Sequence, residues 1–176
     1  MKKIIRIAKS FSCICILFVF CIQLVSCGDG ENPADIFSHY LEIYGDIPCG
    51  VLYDTSKKER EEGYFTDRMK SDLYAREDGT SEMEHVREAV VFLGSSQNDF
   101  YELGIFICNS HREAEQVAKM CFRRIDTART IRSAILDERH SLGSLDDAFV
   151  TVKGKICIYS AMPDNEKSRK AVESII

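Results

Sequence analysis

The sequence predicts an α+β fold: a four-stranded, mostly antiparallel sheet made from two ββα units, with an additional N-terminal helix. Three observations lead there. Two pairs of β-rich runs are each split by a turn-like stretch, and a segment of helical periodicity follows each pair. The strand-like runs are apolar on both faces, as in a sheet covered from two sides.

Before any of these elements comes a leader. Lys2, Lys3, Arg6 and Lys9 precede the apolar run "FSCICILFVFCIQLV", residues 11–25. A basic start followed by a short apolar stretch is the pattern of an export signal. From Phe11 to Cys27 is 17 residues, with Gln23 inside, against the roughly 20 that a membrane-spanning helix needs. The run closes on "LVSC", Leu24 to Cys27, which resembles the bacterial lipobox. That resemblance implies a signal peptide over residues 1–26 and a diacylglycerol on Cys27, the new amino terminus. One acyl chain holds a protein only marginally, whereas two give a stable anchor, at about 0.8 kcal/mol per buried CH₂. Residues 27–33 then serve as the lipidated Cys and a short tether, and residues 34–176 as a single α+β domain. Removing residues 1–26 takes four basic and no acidic side chains with it, so the formal charge moves from −5 to −9. An acidic body of this kind excludes nucleic acid as an expected partner.

The domain begins with "PADIFSHYLEIYG". Pro33 suits a first helical turn, Ile36, Tyr40, Ile43 and Tyr44 recur at helical spacing, and Gly45 ends the pattern. Residues 46–64 read as a loop with a charged middle. Thr66 is placed to cap a short helix through about Tyr74. "HVREAVVFLG" and "FYELGIFIC", separated by "SSQND", form the first hairpin. Ser110 and Glu113 make the S-x-x-E box that opens the longest helix, whose stripe is Ala114, Val117, Ala118, Cys121, Ile125 and Ala128. The second hairpin turns at Lys153-Gly154, with Val150 and Val152 before it and Ile156 and Ile158 after. Asp164 or Asn165 caps a last helix with Ala171, Val172 and Ile175 facing inward. The two later helices are expected on one face of the sheet and the first helix on the other.

Several of these features, taken in order, resemble a family of small clostridial-type bacterial lipoproteins, a domain of unknown function. They are "TDRMKSDLY" before the first hairpin, Glu102-Leu103 opening a strand, the charged capped helix, the "VKG" turn at Val152 to Gly154, and "PDN" before the final helix. The resemblance spans residues 34–175. Ile107, Asn109 and the charged loop 54–63 depart from the family's pattern. It implies an address and a fold, and assigns no reaction.

No reactive signature stands out. His39, His85, His111 and His140 form no HxH, HxxxH or HExxH spacing, so no metal and no cofactor are expected. "EMEH", residues 82–85, reads as a solvated loop, and Asp146, Asp147, Glu59, Glu61 and Glu62 as surface charge. Cys49, Cys108, Cys121 and Cys157 show no CxxC. The last three fall where core residues are wanted, which favours buried thiols over a disulfide framework. Arg112, Lys119, Arg123, Arg124, Arg129 and Arg132 load the long helix. They read as a solvated face paired at short spacing with Glu113, Glu115 and Asp126. The expectation is a non-enzymatic lipoprotein anchored at Cys27 on the extracytoplasmic face of the cell membrane, binding an envelope protein or polymer. The alternatives are a cell-envelope hydrolase or a small-ligand-binding lipoprotein.

Overall fold

A computed structural model describes residues 32–95, 100–135 and 142–176. Among these residues it is α+β, with one antiparallel sheet and four α-helices. Helix α1, Pro33–Tyr44, starts at Asn32, whose side chain accepts from the Ala34 amide at 2.9 Å. It stops at Gly45, whose φ of 81° lets its N–H reach Leu41 O. Phe37 takes the inward place expected of Ile43, which is exposed.

The expected loop 46–64 contains a strand. β1, Gly50–Asp54, pairs antiparallel with β2, Val86–Ser95, with Val51 opposite Leu93 and Tyr53 opposite Val91. The sheet therefore has five strands, not four. β1 is five residues long, lies at an edge and keeps two exposed positions, so it carries little apolar alternation to read. β2 turns back into β3, Phe100–Cys108; β4 is Phe149–Lys153 and β5 is Ile156–Ala161. The order across the sheet is β1-β2-β3-β5-β4.

Register sorts the core. Val90 faces Ile105, and Ile105 faces Ile158. Ala89 faces Phe106, and Phe106 faces Cys157, on the opposite side. Two separate apolar clusters result, one on each face. Over the first lie α1 and α4, Asn165–Ile175, through Ile36, Phe37, Tyr40, Ala171 and Val172. Over the second lie α3, His111–Ile135, and α2, Asp67–Tyr74, through Val117, Cys121, Ile125 and Tyr74. The two later helices thus sit on opposite faces, contrary to the sequence expectation. The 12-residue α1 covers its side only together with α4.

The caps follow the sequence reading. Thr66 accepts from the Met69 amide, Ser110 from the Glu113 amide at 3.2 Å, and Asp164 from the Lys167 amide at 2.8 Å. All six residues of the predicted α3 stripe are buried.

Candidate functional site

The chemistry of the described residues gathers on the α2/α3 face. Arg123 and Arg124 are neighbours on α3, but a helix turns about 100° between them, so they point to different partners. Arg124 reaches down to the sheet. Its Nη2 lies 2.8 Å from Glu102 Oε2, and its Nε 3.1 Å from the same oxygen. Glu102 is on β3 and has no solvent exposure. Tyr74 Oη donates to Glu102 Oε1 at 3.4 Å and lies 2.8 Å from Tyr159 Oη. The Arg124 guanidinium also stacks over the Phe100 ring, 5.1 Å from its centre.

Arg123 reaches sideways to Glu82, with Nη1 2.9 Å from Oε1 and Nη2 bonded to Oε2. Arg76 donates to the same carboxylate from the loop after α2. "EMEH" is therefore not a solvated loop. It is a 3₁₀ turn, Glu82–His85, with Glu82 buried as the clasp between the α2 exit and α3. Nor is the basic helix simply paired along its own length. Asp126 and Arg129 do pair at 3.4 Å, but Arg123 and Arg124 spend their forks on partners 41 and 22 residues away.

The two carboxylates differ electrostatically. Burial alone would raise the Glu82 carboxyl, but the guanidiniums of Arg123 and Arg76 outweigh it and hold it at about 2. For Glu102 burial wins, and its carboxyl sits above the ordinary 4.5 despite Arg124. Burial likewise lifts the Tyr74 hydroxyl well above 10.

Between the end of α2 and α3 opens a cleft of about 930 Å³. Leu73, Met120 and Ile131 give it apolar wall, and Arg76, Arg123 and Arg124 give it charge. Glu77, Asp78 and Asp126 stand along it as well.

Cys27, the expected lipidation site, lies outside the described residues, as does His140. Cys49 is exposed, and Cys108, Cys121 and Cys157 are buried; none of the four is in a disulfide. Cys121 Sγ and Cys157 Sγ are 3.9 Å apart. Burial pushes Cys108 up to about 12 and Cys121 well above 9, so both stay protonated and poorly nucleophilic at neutral pH. Among the described residues no three His, Cys, Asp or Glu side chains are placed to hold a metal ion. No helix among them is long and apolar enough to cross a membrane. Asp146, Asp147, Glu59, Glu61 and Glu62 are exposed, as expected.

Sequence reasoning takes Glu82, within "EMEH", as solvated, and gives Glu102 no site role. For Glu102 a signal existed: it is the one charge inside "FYELGIFIC", a run otherwise fit for a doubly covered strand. A buried charge requires a partner, though spacing does not say which. No family model, no curated protein and no solved structure matches the chain.

Proposed function

We propose that the chain is a lipid-anchored domain on the extracytoplasmic face of the cell membrane, acting by binding rather than by catalysis. The observation that carries this reading is "LVSC" at the end of an apolar run behind a basic start, with a folded unit beginning at Asn32, five residues past Cys27. The resemblance to small clostridial-type lipoproteins points the same way. The partner is an envelope component: a protein, a polymer or a small ligand. The cleft beside Arg76 and Arg123 favours the small-ligand version, because its volume lies in the range of about 300–1,000 Å³ that ligand sites occupy.

The test is crosslinking and recovery of the full chain from intact cells. Wild-type chain should sediment with membranes and bring an envelope component with it, while Cys27→Ser should appear in the soluble fraction. Recovery of both forms from the cytosol, or turnover of an envelope substrate by the purified wild-type chain, would overturn the reading.

A further inference from the structure

Four cysteines lie among the described residues, and three of them, Cys108, Cys121 and Cys157, gather on the α2/α3 face of the sheet with no solvent exposure. Cys121 belongs to the apolar stripe of α3 and Cys157 to β5, 36 residues further along the chain. Their sulfurs are 3.9 Å apart, which leaves no room for an atom between them. A disulfide needs about 2.05 Å, and the gap that remains is within the sweep of a sulfur turning about its Cα–Cβ bond.

The other thiols are worse placed for Cys157. Cys108 on β3 lies opposite Lys155, its N–H bonded to Lys155 O at 2.9 Å, so Cys157 is only its diagonal neighbour. Diagonal partners have Cα atoms about 7–8 Å apart, beyond the roughly 4.4–6.8 Å that disulfides usually span. Cys49 precedes β1, which the sheet order sets three strand spacings, about 14 Å, from β5.

We propose that Cys121 and Cys157 are a disulfide-forming pair that clasps α3 to the sheet when the chain folds in the presence of a disulfide oxidant. The reaction is two successive thiol–disulfide exchanges. One cysteine, as thiolate, attacks the oxidant's S–S bond, binds one of its sulfurs and releases the other as a thiol. The second cysteine then attacks the sulfur of the first, and the rest of the oxidant leaves as a second thiol. The chain gives up two electrons and two protons, and the oxidant ends as two thiols. Burial sets the timing. In the folded chain neither sulfur reaches solvent, so the exchange belongs to folding, before α3 closes, or to local opening. The same packing then shields the bond from reductants. A chain folded among reducing thiols keeps both cysteines free, and one folded in an oxidising compartment carries the clasp. Arg124 is one turn beyond Cys121, so the bond reinforces the segment of α3 already held by Glu102. The clasp needs an oxidant and no ligand, so it stands apart from the binding role proposed above.

The full chain, refolded from denaturant in detergent micelles with reduced and oxidised glutathione, tests it against refolding with reduced glutathione alone. After alkylation under denaturing conditions and tryptic digestion, mass spectrometry should find peptide 120–123 joined to peptide 156–167 in the first preparation only. The linked chain should unfold about 5–15 °C higher, the worth of closing a loop of this length in a domain of this size. That rise should vanish in Cys121→Ala, and after reduction and refolding of the wild-type chain. Cys49→Ser and Cys108→Ala should leave the link in place. A chain already folded should acquire it more slowly than one refolding in the same oxidant. Cys121 recovered alkylated from the oxidised preparation, a link through another cysteine in its place, an unchanged or lower midpoint, or equally fast linkage in the folded chain would each overturn the proposal.

Discussion

On one face of the sheet, α1 and α4 close over Val90, Ile105 and Ile158, and the polar groups there are neutral hydroxyls: Tyr40 donates to Ser168 at 2.9 Å, and Ser168 lies 2.6 Å from Ser160. On the other, α2 and α3 close over Phe106 and Cys157, but that face also holds a buried carboxylate, a mostly buried arginine and three thiols. Neutral hydroxyls that satisfy one another cost little to bury. A buried ion pair must recover a desolvation penalty of several kcal/mol per charge, and an apolar pair in its place is often at least as stable. The first face reads as support. The second carries charge that stability does not require, and the open cleft lies beside it.

The two faces should differ most in their response to substitution at Arg124. Arg124→Met strands Glu102 and should cost about 3–5 kcal/mol in urea unfolding, whereas Arg124→Met with Glu102→Gln should recover most of that loss. Equal losses for the single and double variants would show that the pair is not coupled. Next is packing. Gly104 lies under the Tyr159 ring, which a methyl group there would overlap, so Gly104→Ala should cost about 1–3 kcal/mol by overpacking. On the hydroxyl face, Ser168→Ala should cost about 1–2 kcal/mol, leaving Tyr40 Oη without its acceptor.

The smallest effect is in pH. Glu82 is depressed from 4.5 to about 2, so its stabilisation is present above 4.5 and lost as pH falls toward 2. At full strength that shift is worth roughly 3 kcal/mol, but both guanidiniums are more than a third exposed, and screening reduces it to on the order of 1 kcal/mol. Glu102 is raised, so it acts in the opposite sense: its contribution is greatest below 4.5 and is lost as pH rises through its elevated value. Together they place a shallow optimum near pH 4.5, to be seen in urea midpoints between pH 2 and 8. Glu82→Gln should flatten the acid limb, and Glu102→Gln the neutral one.

The elements that sequence reveals are those whose signal is local. Caps at Thr66, Ser110 and Asp164, the turn at Gly154 and the α3 stripe all follow from residues within one or two turns of each other. β1 was hidden because an edge strand of five residues needs β2 to define it. The side on which α4 packs was hidden because apolar residues on both strand faces fit either choice. The cleft was illegible for the same reason: Glu82, Arg76 and Arg123 meet only after α3 has crossed the sheet, and each alone resembles a surface charge.

Intact-mass analysis of the chain purified from its own membranes reads the proposed anchor at Cys27 directly. The expected species lacks residues 1–26 and carries a diacylglyceryl group on Cys27, absent from Cys27→Ser. A chain that keeps its leader, with Cys27 unmodified, would contradict it.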